Sequence, residues 1–331
     1  MIASRPQRKM IMAAQQILEL LADGNFHSGQ AIADRFGVSR TAIWKQIEAL
    51  GELGVQAERV RGRGYRIPGG LELFQEDKIL AGLTPAARAL LRDLKVLLRT
   101  DSTNAKLIRD EALVDGARVC LAEYQSAGRG RRGRSWQSPF GSNIYLSVAW
   151  RFTGGAEVLE GLSLVVGVLL CEALKASGAD GVGLKWPNDV LRNGRKLAGV
   201  LVEMNGDVSG PCTAVIGTGI NVRMPTVSAA RIEQPWSDLS DIDPSRNGLV
   251  AEFLNHLLPT LAAYEQQGFA HWRDRWSGLD AFADASVIVE AGGRRTGGTA
   301  RGVDTRGALV LETATGFLNL HGGEVSLRSA S

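Results

Sequence analysis

Pro68-Gly69-Gly70 splits the chain into two stretches of different patterning, and no single periodicity serves both sides of the break. Before it, Met10 to Leu21 carries Ile17, Leu18, Leu20 and Leu21 at helical spacing and stops at Asp23-Gly24. Ser28 is placed to cap a short helix with Ile32, Ala33 and Phe36 inward. Gly37-Val38 then makes a tight turn, and Ser39 caps a third helix with Ile43, Ile47 and Leu50 as its buried stripe. Helix, tight turn, helix is the helix-turn-helix pattern. Past Gly54 the apolar period falls to two around the tip Arg61-Gly62-Arg63-Gly64, which predicts a β-hairpin wing.

Beyond the break, a charged helical stretch to about Lys95 leads into a body of strand-like runs and strong helices. The runs are Lys95 to Leu98, Ala117 to Glu123, Asn143 to Trp150, Gly183 to Lys185, Leu197 to Met204 and Thr213 to Val222; the helices are Val158 to Ala176 and Gly248 to Gln267. The hairpin link Arg192-Asn193-Gly194 makes part of the sheet antiparallel. From Ala285 alternation returns among many glycines, as in a small β-barrel. The expected class is therefore α+β multidomain: winged helix-turn-helix at 1–68, a central mixed-sheet α/β domain at 69–284, and a barrel at 285–331.

Charge follows the same division. Residues 1–68 hold ten Lys/Arg against six Asp/Glu, while the remainder is near neutral, so a phosphate-rich partner suits the head. The longest apolar stretch, Leu162 to Cys171, is far short of the ~18–20 residues that cross a bilayer, and the N-terminus lacks a signal-peptide pattern. No membrane contact and a cytoplasmic location are expected. Cys120, Cys171 and Cys212 are scattered and odd in number, and the four histidines show no ligand spacing, which predicts neither a disulfide framework nor structural zinc.

Three segments can carry chemistry. Gly128 to Trp136 sets three glycines among four arginines: the glycines let backbone N–H groups approach a polyanion, and the arginines offer forked donors for phosphate or carboxylate. Dinucleotide and phosphate-loop readings fail because such loops open a helix, whereas Pro139-Phe140-Gly141 and a strand follow here. A solvated basic loop is the alternative. In Gly183 to Asp189, Lys185 ends an apolar strand at a Trp-Pro corner, where a partly desolvated ammonium can offset charge on a phosphate or acyl leaving group; an ordinary surface lysine is the alternative. Asp189 is a candidate Mg²⁺ ligand. Asp101 to Asn104 begins a helix after a strand, where short hydroxyl and amide groups suit either a neutral polar ligand or helix capping, and Gln125 is a further amide nearby.

The order of these motifs, joined by Lys196 to Glu203, Gly217 to Asn221 and Gly322 to Arg328, resembles the biotin protein ligase family over nearly the whole chain. The likeness is nearest to bacterial bifunctional ligases that also repress biotin-synthesis genes. It implies a central domain of the biotin/lipoate ligase type and an SH3-like C-terminal barrel. It further implies that Ser102, Thr103, Asn104 and Gln125 contact biotin, and that Arg129, Gly130 and Arg131 lie along the acid and its adenylate. Lys185 would bond the carboxyl or phosphate, Trp136 would wall the ligand, Trp236 would close on adenine from a mobile loop, and Arg328 would reach toward the nucleotide. Lys185 and Arg131 are the implied catalytic residues.

The activity so implied is ATP-dependent conversion of biotin to biotinyl-5′-AMP, with Mg²⁺ carried by ATP, no prosthetic group, and transfer to a lysine of the biotin carboxyl carrier protein of acetyl-CoA carboxylase. Arg40, Thr41, Trp44 and Lys45 of the third helix and Arg61 and Arg63 of the wing are placed to meet operator DNA, with Trp44 packing at the wing as its other option. A homodimer promoted by biotinyl-5′-AMP is the implied DNA-binding form. The alternatives are a ligase whose basic head does not repress, or a lipoate protein ligase.

Overall fold

The computed structural model describes residues 16–110, 115–207, 209–291, 294–321 and 326–329. The start of the helix expected from Met10, and Gly322 to Val325 of the C-terminal motif, lie outside the described residues.

The head holds helix α1 (described over 16–21), α2 (Gly29–Phe36) and α3 (Arg40–Glu52). The Ser28 and Ser39 hydroxyls accept from the Ala31 and Ala42 amides at 3.0 and 3.2 Å, satisfying donors that a helix start leaves without partners. Strands β1 (Glu58–Val60) and β2 (Gly64–Arg66) pair antiparallel as the wing. Ile17, Leu21, Ile32, Ile43 and Leu50 close the head's core, and two residues from beyond the break, Leu73 and Phe140, are buried in that same cluster. The Pro68-Gly69-Gly70 break thus turns the chain back on the head: the Leu71 amide donates to the Ala22 carbonyl at 2.9 Å.

Next come α4 (Glu76–Ala81), α5 (Pro85–Leu90) and, directly after, strand β3 (Leu91–Leu97). The charged helical stretch expected to about Lys95 therefore ends at Leu90, and its last residues belong to a strand. Arg92, Asp93 and Lys95 read as a helix surface, but they are the solvated side chains of an edge strand held by parallel pairing to its neighbour.

The central sheet adds β4 (Ala117–Ala122), β5 (Ile144–Phe152), β6 (Val182–Lys185), β7 (Asp189–Arg192), β8 (Arg195–Gly206) and β9 (Cys212–Ile220), in the order β3-β4-β5-β9-β8-β7-β6. The β3–β4 pair is parallel and the others antiparallel. Asn193 and Gly194, with φ of 51° and 74°, make the two-residue β7–β8 hairpin turn, which demands two left-handed residues. Helices α7 (Leu162–Ala176) and α9 (Arg246–Gln267) bury one face, while the short α6 (Thr103–Arg109) packs Leu107 against Cys120, Ala149 and Val215 on the other. The uncovered part of that second face becomes a cleft.

A buried ion pair knits the linker to the body. Arg246 and Glu123, 3% and 1% exposed, meet at 2.9 Å. Arg246 also donates to the carbonyls of Glu72, Gly141 and Asn143 and lies 3.9 Å from the Phe74 ring centroid. After α8 (Thr226–Ala229) and α10 (Arg273–Ser277), strands β10 (Ser286–Ala291), β11 (Arg294–Val303), β12 (Leu309–Thr313), β13 (Gly316–Leu320) and β14 (Ser326–Ser329) form the small SH3-like antiparallel module, ordered β13-β12-β11-β10-β14. Val287, Val289, Leu309 and Leu311 share one core with the body, and the Trp186 indole N–H donates to the Gly307 carbonyl at 2.9 Å. Arg328 falls on β14, its side chain outside the described residues. No helix among the described residues is long and apolar enough to cross a membrane.

Candidate active site and nucleic-acid face

The open sheet face holds a cleft of about 850 Å³, within the range that encloses a drug-sized ligand. Of the residues expected at the ligand site, Ser102, Thr103, Asn104, Gln125, Arg129, Gly130, Arg131, Trp136, Lys185 and Trp236 line it, while the side chain of Arg328 lies outside the described residues.

At one end, Ser102 caps α6, and Asp101 secures the turn by accepting the Ser102 amide at 2.8 Å. The Arg109 guanidinium forks onto Asp101 and holds its carboxyl well below the usual carboxylate range. Thr103 and Asn104 are buried beside Ser147 of β5. Gln125 accepts the Thr103 amide at 2.9 Å and donates to the Ser138 hydroxyl at 3.1 Å.

The arginine segment closes on itself instead of opening a helix: the Gly130 amide donates to the Arg134 carbonyl at 2.7 Å and the Trp136 amide to the Gly128 carbonyl at 2.8 Å. Trp136 lies against the backbones of Gly199 and Gly219. A Cβ on Gly219 would stand 2.5 Å from the indole, so a glycine there is a condition of the close approach. Arg129 pairs with Glu203 at 2.8 Å, and Arg131 reaches the Asn188 side chain at 3.3 Å. Burial, and then the neighbouring Arg132, lower the proton affinity of Arg131, as expected where cations crowd to await an anion.

Lys185 ends β6 with its ammonium 5.8 Å from the Phe282 ring centroid. A second lysine, Lys196, stands in the cleft 2.8 Å from Asp189 and 5.5 Å from the Trp136 ring centroid. In the sequence Lys196 stands in a motif without an assigned role, because neither the fold-back of β7 nor the side on which β8 faces the cleft is visible in a linear pattern. Asp189 is committed to Lys196, and among the described residues no group of three or more His, Cys, Asp or Glu side chains could hold a metal. Trp236 lies on a segment tied to the start of β8, with the Lys196 amide donating to Pro235 and the Ser237 amide to Lys196 at 3.0 and 2.9 Å.

In the head, Arg40, Thr41, Trp44 and Lys45 are exposed at the start of α3, and Trp44 keeps 37% of its surface open. Arg61 and Arg63 are exposed on the wing; Arg63 lies 4.1 Å from the Phe26 ring centroid, while Arg66 is drawn onto Glu58 at 2.6 Å.

Comparison with known proteins agrees with each layer. Residues 96–221 match the biotin/lipoate A/B protein ligase family, 14–66 a helix-turn-helix domain, and 285–328 the biotin protein ligase C-terminal domain. The chain is 43% identical to the bifunctional ligase/repressor BirA of Salmonella typhimurium, covering 95% of this chain and 97% of that one, and 41% identical to its namesake from Escherichia coli at the same coverage. The solved biotin protein ligase of Aquifex aeolicus in complex with biotin and ATP superimposes with a TM-score of 0.60 at 27% identity, covering 72% of this chain and 99% of that one. Taken with the matching cleft and winged head, these likenesses mean that the chain belongs to the biotin protein ligases, in the branch of the bifunctional ligase/repressors.

Proposed function

We propose that this protein activates biotin with ATP, transfers it to a protein lysine, and represses biotin-synthesis genes when loaded with the activated intermediate. The observation that carries the ligase reading is the convergence, in one cleft, of a polar end on α6 with the arginine loop, Lys185 and Lys196.

The chemistry must join two anions. A biotin carboxylate oxygen attacks the α-phosphorus of ATP, the bond to the bridging oxygen breaks, and pyrophosphate leaves with its electron pair. Arg129, Arg131, Lys185 and Lys196 supply fixed positive charge along that line, where charge develops on the phosphate and the leaving group. Ser102, Thr103, Asn104 and Gln125 form the end that takes the biotin ring, Trp136 its wall, Gly130 a backbone approach, and Trp236 the cover over adenine. Mg²⁺ would enter on the phosphates of ATP and ease pyrophosphate departure. In the second half-reaction the acceptor amine attacks the acyl carbon, a C–N bond forms, AMP leaves and the ammonium proton is released.

For repression, the exposed start of α3 and the Arg61 wing tip fit one half-site. A two-fold dimer promoted by biotinyl-5′-AMP would read a whole operator, with the carrier protein competing by consuming the corepressor. The units are 1–68, 69–284 and 285–331, and the setting is the cytoplasm. Biotin-dependent exchange of pyrophosphate into ATP tests the first reading; no exchange above a lipoate control overturns it. Fluorescence anisotropy of DNA from a biotin-synthesis promoter, with and without biotin plus ATP, tests the second. Ligand-tightened binding that is lost in Arg40→Ala or Arg61→Ala is expected, and equal weak binding to any DNA leaves a ligase whose head does not repress.

A further inference from the structure

Between β9 and α9 the chain leaves the sheet, runs along the cleft and returns, with residues 231–236 forming part of the cleft wall. Residues 225–237 make a compact loop of the kind whose two ends lie close together. Asp238 closes its neck. The Asp238 Oδ2 accepts the Met224 amide from the outgoing arm at 3.0 Å, and Oδ1 accepts the Ser240 amide and hydroxyl at 3.2 and 2.7 Å. Beside it the Leu239 amide donates to the Val222 carbonyl at 3.0 Å. The outgoing arm is itself fixed, since Asn143 Oδ1 takes the Val222 and Arg223 amides at 2.9 and 3.2 Å.

The returning arm is held by Arg192, the last residue of β7. With its side chain only 11% exposed, the guanidinium forks onto the Asp241 carboxylate at 2.6 and 2.8 Å and also donates to the Asp238 carbonyl at 3.1 Å. One cation fixed in the sheet thereby holds that arm at two points, and a planar fork sets direction as well as distance. An Arg223–Asp243 pair spans the neck too, but with both side chains more than half exposed it contributes little. The same hairpin ties this grip to the cleft. Arg192 lies opposite Arg195, next to Lys196, whose amide and carbonyl bond Pro235 and Ser237 on either side of Trp236. Arg192, Asp238 and Asp241 do not themselves line the cleft.

We propose that Arg192, Asp238 and Asp241 are positioning residues that clamp the neck of the 225–237 loop and so set how long an activated acyl-adenylate stays in the cleft. This rests on the ligase reading and adds what times its intermediate. A mixed anhydride survives only while water is kept from it, so the wall beside it must hold its place until the acceptor amine arrives. The polar end of the cleft is built on α6, outside the loop, so binding of biotin alone should not feel the neck.

The test forms the adenylate on the full-length protein from radiolabelled biotin, ATP and Mg²⁺ with pyrophosphatase, removes free ligand by gel filtration, and follows loss of label in excess unlabelled biotin. Arg192→Met should speed that loss by about tenfold, as expected for a charge-assisted grip on a backbone carbonyl and a carboxylate. Asp241→Asn, which weakens only the exposed half of the grip, should speed it by about threefold. The dissociation constant for biotin alone should stay within about twofold of native in both. Arg192→Lys should fall between native and Arg192→Met, because an ammonium cannot reproduce the fork. The double variant Arg192→Met/Asp241→Asn should be no faster than Arg192→Met, since Asp241 acts through that guanidinium. Should Arg192→Met fail to fold, Asp241→Asn changes a side chain 62% exposed and carries the same readout. Unchanged release in the folded variants, or biotin binding weakened by the same factor as adenylate retention, overturns the proposal. No adenylate formed by the native protein overturns the ligase reading instead.

Discussion

Removing either member of the buried Arg246–Glu123 pair should destabilise the body, and the two losses should be unequal. In Arg246→Met, Glu123 keeps the Phe74 amide at 2.6 Å but loses its counter-charge, and the carbonyls of Glu72, Gly141 and Asn143 lose their donor. Breaking a buried pair costs roughly 3–5 kcal/mol, and an orphaned buried carbonyl adds about 1–3 kcal/mol where water cannot reach it. With three carbonyls orphaned as well as the pair broken, we expect at least about 6 kcal/mol for Arg246→Met. In Glu123→Gln the amide oxygen still accepts from Phe74 and Arg246 keeps its three carbonyls, so about 2–3 kcal/mol is expected. An isolated pair would be rescued by the double apolar variant Glu123→Leu/Arg246→Met; here the carbonyls stay orphaned, so the double variant should remain at least about 3 kcal/mol below the native protein. Urea unfolding followed by tryptophan fluorescence reads the midpoint and slope for each variant. Equal losses for the two single variants, or recovery in the double, would refute the view that Arg246 works mainly as a clamp on backbone carbonyls.

Lys185→Ala and Lys196→Ala should each slow adenylate formation by about two orders of magnitude or more; near-normal pyrophosphate exchange would remove the residue concerned from the mechanism. Arg131→Gly should chiefly speed release of the adenylate, seen as indiscriminate labelling of nearby lysines, and an unchanged dissociation rate of bound adenylate would contradict this. Phe140→Ala should loosen the head at a cost of about 3–4 kcal/mol, detected as faster proteolysis near Pro68, while an unaltered cleavage pattern would show that the head does not lean on this ring. Burial pushes the Cys120 and Cys171 thiols up to about 12 and raises that of Cys212, so the native protein at pH 8 should resist thiol reagents that label all three on unfolding. Rapid labelling of the folded protein would count against the packing around them.

The winged head was legible in the sequence because its signals are local: serine caps, the Gly37 turn, helical spacing, and a hairpin tip all act within a few residues. The arginine loop was legible for the same reason, since neither a helix nor a buried strand can absorb that composition. Tertiary structure decided what depends on distant pairing. Strand β3 exists because β4 holds it, against its charged composition, and the Pro68-Gly69-Gly70 break became a folded joint because Phe140, some seventy residues away, fills the head's core. Lys196 entered the site through the fold-back of β7 onto β8, and Glu203 through the register of β8 beside α6. Residue types in sequence thus announced a cleft for a polyanion, while the directions of its hydrogen bonds were set only where α6, β5 and β8 meet, because donor and acceptor roles are properties of neighbours in space and not of neighbours in the chain.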